Sequence, residues 1–135
     1  MKTSIITSGK RKTAIARATI TEGTGKVFIN KIPYKFFSPI RKMMIDEPLL
    51  LTQEELGDQL NFDVRINARG GGQESQIDAS RLALARAILA FTKSEKLKKK
   101  FLAYDRNLLV ADVRRKEAYK PGDSKARAKR QKSYR

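Results

Sequence analysis

A chain of 135 residues with 40% hydrophobic side chains has room for one modest core and an appendage, not for two cores. Its formal net charge of +16, from 30 Lys and Arg against 14 Asp and Glu, does nothing for a fold and points instead to a partner, either a polyanion or an anionic membrane surface. No run approaches the roughly 18 apolar residues of a membrane helix, and the opening stretch Met1 to Ser8 is too polar for a signal-peptide core. With no cysteine there is neither a disulfide framework nor a thiolate metal site. The expectation is a cytoplasmic protein that does not engage a membrane.

The charge is polarised along the chain. Residues 1–92 hold 14 basic and 9 acidic side chains, a net +5, whereas residues 93–135 hold 16 and 5, a net +11. Residues 114–135 alone hold 10 and 2. A balanced front and a basic end predict a globular α+β domain over 1–113 and an extended tail over 114–135.

In chain order, Thr13 to Ile20 alternates Ala14, Ala16, Ala18 and Ile20 against Ile15, Arg17 and Thr19, which predicts a strand. Gly23-Thr24-Gly25 supplies turn residues, and Lys26 to Ile29 returns as a second strand. Ser38-Pro39 has the pattern of an N-cap and first-turn proline, opening a short helix that Pro48 should end. Thr52 to Glu55 has capping-box spacing for one further turn. The strongest alternation runs from Leu60 to Ala68, with Leu60, Phe62, Val64, Ile66 and Ala68 on one face of a strand. After Gly70 to Gly72 a helix is predicted from about Glu74 to Phe91, apolar on more than one face. Ser94 can cap a third helix with Leu97, Phe101 and Tyr104 as its apolar stripe and its lysines in water. Leu108 to Val113 is apolar enough for a last strand.

Catalysis lacks its parts. There is no histidine and no cysteine, and the carboxylates are scattered or adjacent in pairs that point apart on a helix. Gly23-Thr24-Gly25-Lys26 lacks the leading glycine and the hydroxyl of a phosphate loop, and Ser75 stands where a dinucleotide loop needs its third glycine. No enzyme, cofactor or metal site is expected.

Three basic clusters remain. Gly9-Lys10-Arg11-Lys12 precedes the first predicted strand. Arg69-Gly70-Gly71-Gly72-Gln73 joins a strand to a helix; its glycines suit either a turn with positive φ or a close backbone approach to phosphate. The third is the tail, where Arg114, Arg115, Lys116, Lys120, Lys125, Arg127, Lys129, Arg130 and Lys132 alternate with small residues before Ser133-Tyr134-Arg135. Too little there is apolar to offset the entropy of ordering, so the tail should be disordered when free. Its cations can neutralise phosphates, its small spacers fit narrow crevices, and Tyr134 can stack on a base or ribose. These features describe an RNA-binding chain.

The same residues resemble the universal small-subunit ribosomal protein nine family. The resemblance is carried by Gly9 to Arg17, by Gly70-Gly71-Gly72-Gln73 with Gln76, Ala79 and Ala85-Arg86-Ala87, and by Tyr104-Asp105-Arg106. It continues through Asp112 to Glu117, Lys120-Pro121-Gly122, Lys125-Ala126-Arg127 and Gln131 to Arg135. The ending Lys132-Ser133-Tyr134-Arg135 resembles the archaeal and eukaryotic branch, and the compact length the archaeal one. The resemblance implies a small mixed sheet of about four strands backed by helices, like the second domain of ribosomal protein five. It implies a place in the head of the small subunit on the 3′ major domain of its rRNA, beside other head proteins. It further implies a tail that threads toward the decoding groove, where Ser133, Tyr134 and Arg135 reach the anticodon stem-loop of the peptidyl-site tRNA. Whether Tyr134 stacks there or packs against rRNA is open.

Overall fold

The clearest strand in the sequence is the middle strand of the molecule. The computed structural model describes residues 3–58, 60–122, 124–129 and 132–134. Its elements are β1 (Ile5–Arg11), β2 (Ala14–Glu22), β3 (Val27–Ile29), β4 (Ile32–Pro33), α1 (Pro39–Leu56), β5 (Phe62–Arg69), α2 (Gln73–Thr92) and α3 (Glu95–Tyr104). Short 3-10 turns cover Tyr34–Phe36 and Arg106–Leu108. The strands form one five-stranded sheet in the order β1-β2-β5-β3-β4. β5 runs antiparallel to β2 and parallel to β3, so the sheet is mixed. The expected α+β class is found, with five strands where about four were expected.

All three helices lie to one side. α2 covers β1, β2 and β5, α1 packs on α2, and α3 packs on α1. The core is what the alternation requires: Ala14, Ala16, Ala18 and Ile20 from β2 and Phe62, Val64, Ile66 and Ala68 from β5 meet Ile77, Ala83, Leu84 and Ile88 of α2. Small residues on β2 let α2 sit close, and on β1 the approach is closer still. A Cβ at Gly9 would run into the Ala79 carbonyl oxygen and lie 2.7 Å from the Ala83 nitrogen. Thr7 Oγ1 fixes the same contact by donating to the Ala83 carbonyl at 2.9 Å. α3 starts as read, with the Ser94 side chain accepting from the Leu97 N–H.

Four expectations need correction. Ile5–Arg11 is a strand although its sequence is polar and contains Gly9; pairing with β2 from Ile5↔Ile20 to Arg11↔Ala14 supplies its hydrogen bonds. β3 is not the hairpin neighbour of β2, because β5 lies between them. The Asp63 carboxylate accepts from the backbone N–H groups of Thr24 (2.8 Å) and Lys26 (2.9 Å), seating the connection over the end of β5. Pro48 does not end α1, which runs on through Thr52 to Leu56 as one helix. An interior proline costs about 3 kcal/mol, and here Ile45, Pro48, Leu49 and Thr52 share a buried face that offsets it. Thr52 Oγ1 also donates to the Pro48 carbonyl at 2.7 Å. Finally, Leu108 to Val113 forms no strand: a 3-10 turn buries Leu108, and Arg86 Nε donates to the Leu109 carbonyl at 3.0 Å.

Replacing Gly9 with valine should destabilise the domain by about 2–3 kcal/mol, lowering Tm by roughly 10 °C, since backbone rather than a yielding side chain occupies the space. Gly72→Ser, at an N-cap with φ −97° and open space around it, should leave Tm unchanged or slightly raised. Thermal melts followed by circular dichroism check both.

Candidate nucleic-acid interface

The first two basic clusters, about 60 residues apart in sequence, become one patch. Lys10 pairs with Ile15 across β1 and β2, and Ile15 pairs with Arg69 across β2 and β5, so the three side chains form a row on the sheet face away from the helices. Behind this row the two turns touch. Gly70 has φ +77°, and a Cβ there would come within 2.6 Å of the Thr13 carbonyl; Gly71, at φ +60°, lies against Ala14. These glycines therefore serve the turn, bringing the β5–α2 connection under the β1–β2 connection at Lys12 and Thr13. Lys10, Lys12, Arg69, Gly70 and Gly71 are exposed. Gln73 opens α2, where its Oε1 accepts from Arg41 Nη2 at 2.9 Å and Glu74 pairs with the same arginine.

Arg11 is turned differently from its neighbours. Its side chain is only 18% exposed and lies between Asp78 (3.7 Å) and Asp112 (2.5 Å), the latter a charge contact rather than an aligned hydrogen bond. Nearby, Arg81 pairs with Glu47 and with Asp105 (3.4 Å), and Arg86 Nη1 donates to the Ser8 carbonyl at 2.9 Å. These arginines act inward, tying the segment after α3 to β1, α1 and α2. Burial pushes the Asp78 carboxyl up, against the pull of Arg11 and Arg81.

Asp112 is where the tail attaches. It accepts from the Arg114 backbone N–H (2.9 Å) and guanidinium (2.8 Å to Nη2) while facing Arg11. The third basic cluster thus starts at the same end of the sheet as the first two. Beyond it, Arg115, Lys116, Lys120, Lys125, Arg127, Lys129, Lys132, Ser133 and Tyr134 are exposed and belong to no helix or strand. Arg127 pairs with Glu117 at 3.0 Å, and Lys116 Nζ lies 4.8 Å from the Tyr119 ring centroid. The expected contacts Arg130 and Arg135 lie outside the described residues.

Two further cations lie outside the three basic clusters. Arg17 and Arg65 stand on the same open face as Lys10 and Arg69, and their alternation with buried alanines and with Val64 and Ile66 was the signal. Among the described residues no cluster of Asp and Glu could hold a metal ion, and no helix is long and apolar enough to cross a membrane.

Arg114, through its side chain and then its backbone N–H, with Arg11 adding, holds the Asp112 carboxyl well below the usual carboxylate range. A carboxyl depressed on folding stabilises the folded form above its unfolded pKa, and that contribution is lost as pH falls through the folded one. The tail root should therefore stay locked at mildly acidic pH. In an NMR titration the Asp112 carboxyl resonance should not move between pH 6 and pH 3.5, whereas a free aspartate has its midpoint near about 3.9. A midpoint at or above that value means the lock is absent.

A family model described as ribosomal protein S9/S16 matches residues 9–135. The chain is 54% identical over 132 residues to a protein of Methanococcus maripaludis strain C5 named small ribosomal subunit protein uS9, covering 96% of each. It is 53% identical, with the same coverage, to the protein of that name from Methanococcus vannielii. A match spanning both the sheet and the tail, at this identity, places the chain in the ribosomal protein S9/S16 family.

Proposed function

We infer that the chain is a non-catalytic, structural constituent of the small ribosomal subunit, working in the cytoplasm as part of the ribosome and bound there to rRNA and to neighbouring proteins. Its family and its small-subunit relatives support this reading. The finer reading places residues 1–113 on the 3′ major domain of the small-subunit rRNA in the head. Residues 114–135 then thread through rRNA, with Ser133, Tyr134 and Arg135 touching the anticodon stem-loop of the peptidyl-site tRNA.

The observation that carries the reading is convergence. The Lys10–Lys12 turn, the Arg69–Gly71 turn and the Asp112–Arg115 tail root meet at one end of the fold, so a single approach to RNA engages all three. The tail's described residues add exposed cations with few partners of their own, which suits a segment ordered by phosphates and not by a core. An ordering cost deferred to the moment of binding lets such a segment enter crevices that a folded element cannot.

Sedimentation of a lysate on a sucrose gradient should bring the chain down with small subunits. Removing Ser133–Arg135 should leave incorporation intact and weaken retention of peptidyl-site tRNA, measured by filter binding to reconstituted subunits; unchanged tRNA affinity rejects the role of the tip. Removing residues 114–135 deletes 10 basic side chains and should impair assembly itself. In the free chain the tail should be cut by trypsin within minutes, and in assembled subunits it should resist. Equal affinity of the free chain for duplex DNA and for rRNA at near-physiological salt would favour a general nucleic-acid binder.

A further inference from the structure

The helices cover one face of the sheet, and the other face is left open with an unusual charge. Successive pairings place Lys10 beside Ile15 and Arg69, Ser8 beside Arg17 and Asn67, and Thr19 beside Arg65, which pairs on its far side with Phe28. Four cations carried by the strands therefore stand on this face: Lys10, Arg17, Arg65 and Arg69. The acidic side chain among them, Asp63, is occupied by the backbone N–H groups of Thr24 and Lys26. Elsewhere Arg11, Arg41, Arg81, Arg114 and Arg127 form ion pairs, and Arg86 and Arg115 donate to backbone carbonyls. Among the described residues the four cations of the open face are in no ion pair.

The face is also shaped. Asn67 stands between two shallow depressions. One is lined by Thr13, Ile15, Arg17, Asn67, Arg69 and Gly70, and the other by Phe28, Lys31, Arg65, Ile66 and Asn67. The first combines Arg17 and Arg69 with Ile15, at 46% exposure, and the second combines Arg65 and Lys31 with the half-exposed Phe28. Alternate residues on a strand are about 6.6–6.8 Å apart and neighbouring strands about 4.8 Å, so the cations form a spaced array. Cations that track a backbone, interleaved with flat apolar surfaces on which bases or riboses rest, are the elements of a platform for unpaired nucleic acid.

We propose that the open sheet face, through Arg17 and Arg65 together with Lys10, Arg69, Ile15 and Phe28, is a docking surface for an unpaired or irregular segment of the small-subunit rRNA. The inference rests on the rRNA-binding reading above and adds a surface separate from the tail. Charge complementarity selects the occupant: a face of four unpaired cations suits phosphates, and a protein partner would need a matching acidic strip. Because α2 packs behind β1, β2 and β5, the strand positions that bear these cations are fixed by the core.

The test uses the full chain and a transcript of an archaeal small-subunit 3′ major domain, in filter binding across a salt series. The Arg17→Ser, Arg65→Ser double variant should bind about tenfold more weakly at near-physiological salt, with the slope of log K against log salt reduced by about 1.4 for two lost phosphate contacts. A charge-matched control on the outer side of α3, Lys96→Ser with Lys99→Ser, should change affinity much less. Both variants alter exposed side chains, and unchanged melting temperatures confirm intact folds. Parent-like binding by the face variant, while removal of 114–135 still weakens binding, overturns the docking surface and leaves the rRNA reading standing. An equal loss in the α3 control overturns it too, since attraction would then be diffuse. If the parent itself shows no preference for the transcript over duplex DNA, the rRNA reading fails and this inference with it. In assembled subunits, a photoreactive benzoylphenylalanine at position 15 should crosslink to RNA; a crosslink to protein alone overturns the proposal.

Discussion

The approach of α2 to β1 and β2 is the constraint on which the rest of the molecule depends. It is possible because one side of the contact is built from Gly9, Ala14, Ala16 and Ala18 and the other from Ala79, Ala83 and Ala87. Small residues let backbone meet side chain at short range, so the helix is seated by shape as well as by apolar area, and shape is what makes a core unique. α1 then packs on α2 and α3 on α1. All of the helical mass is thereby committed to one side of the sheet.

That asymmetry leaves the chain two surfaces with which to meet a polyanion: the opposite sheet face, and the end where the turns gather. Charge is sorted to match. Arginines that face the helical side are answered by carboxylates or carbonyls, as Arg81 is by Glu47 and Asp105 and Arg86 by Ser8 and Leu109. Arginines on the open side stand in water. Exposed ion pairs contribute little to stability, so these cations sacrifice little by standing unpaired.

Between the two regimes stands Arg11. It belongs to a basic run that reads as a phosphate-binding patch, yet it lies mostly buried against Asp78 and Asp112. Through Asp112 it sets where the tail leaves the domain, and Arg114 on the same carboxylate sets the first step of its path. A segment that leaves a fixed root has less space to search than one whose attachment is free. Arg11 thus fixes the root of the basic segment from inside the fold.

Much of this was legible in the residues alone. The alternation within Leu60 to Ala68 became β5 from Phe62 onward, the apolar helix after Gly72 became α2, and Ser94 capped α3. Those features are local: a period, a cap or a charge density is written within a few residues of itself. The strand at Ile5–Arg11, the passage of α1 through Pro48, the place of β5 between β2 and β3, and the irregular path after Leu108 were not local. Each exists because a distant partner supplies hydrogen bonds or burial that the segment lacks by itself: β2 for β1, α2 for Pro48, Asp63 for the turn before β3, and Arg86 for Leu109. The amino acids by themselves determined the class of fold, the concentration of positive charge and the family. Only tertiary packing decided which cations face inward and which outward, since whether an arginine meets a carboxylate or water depends on chain segments far from it in sequence.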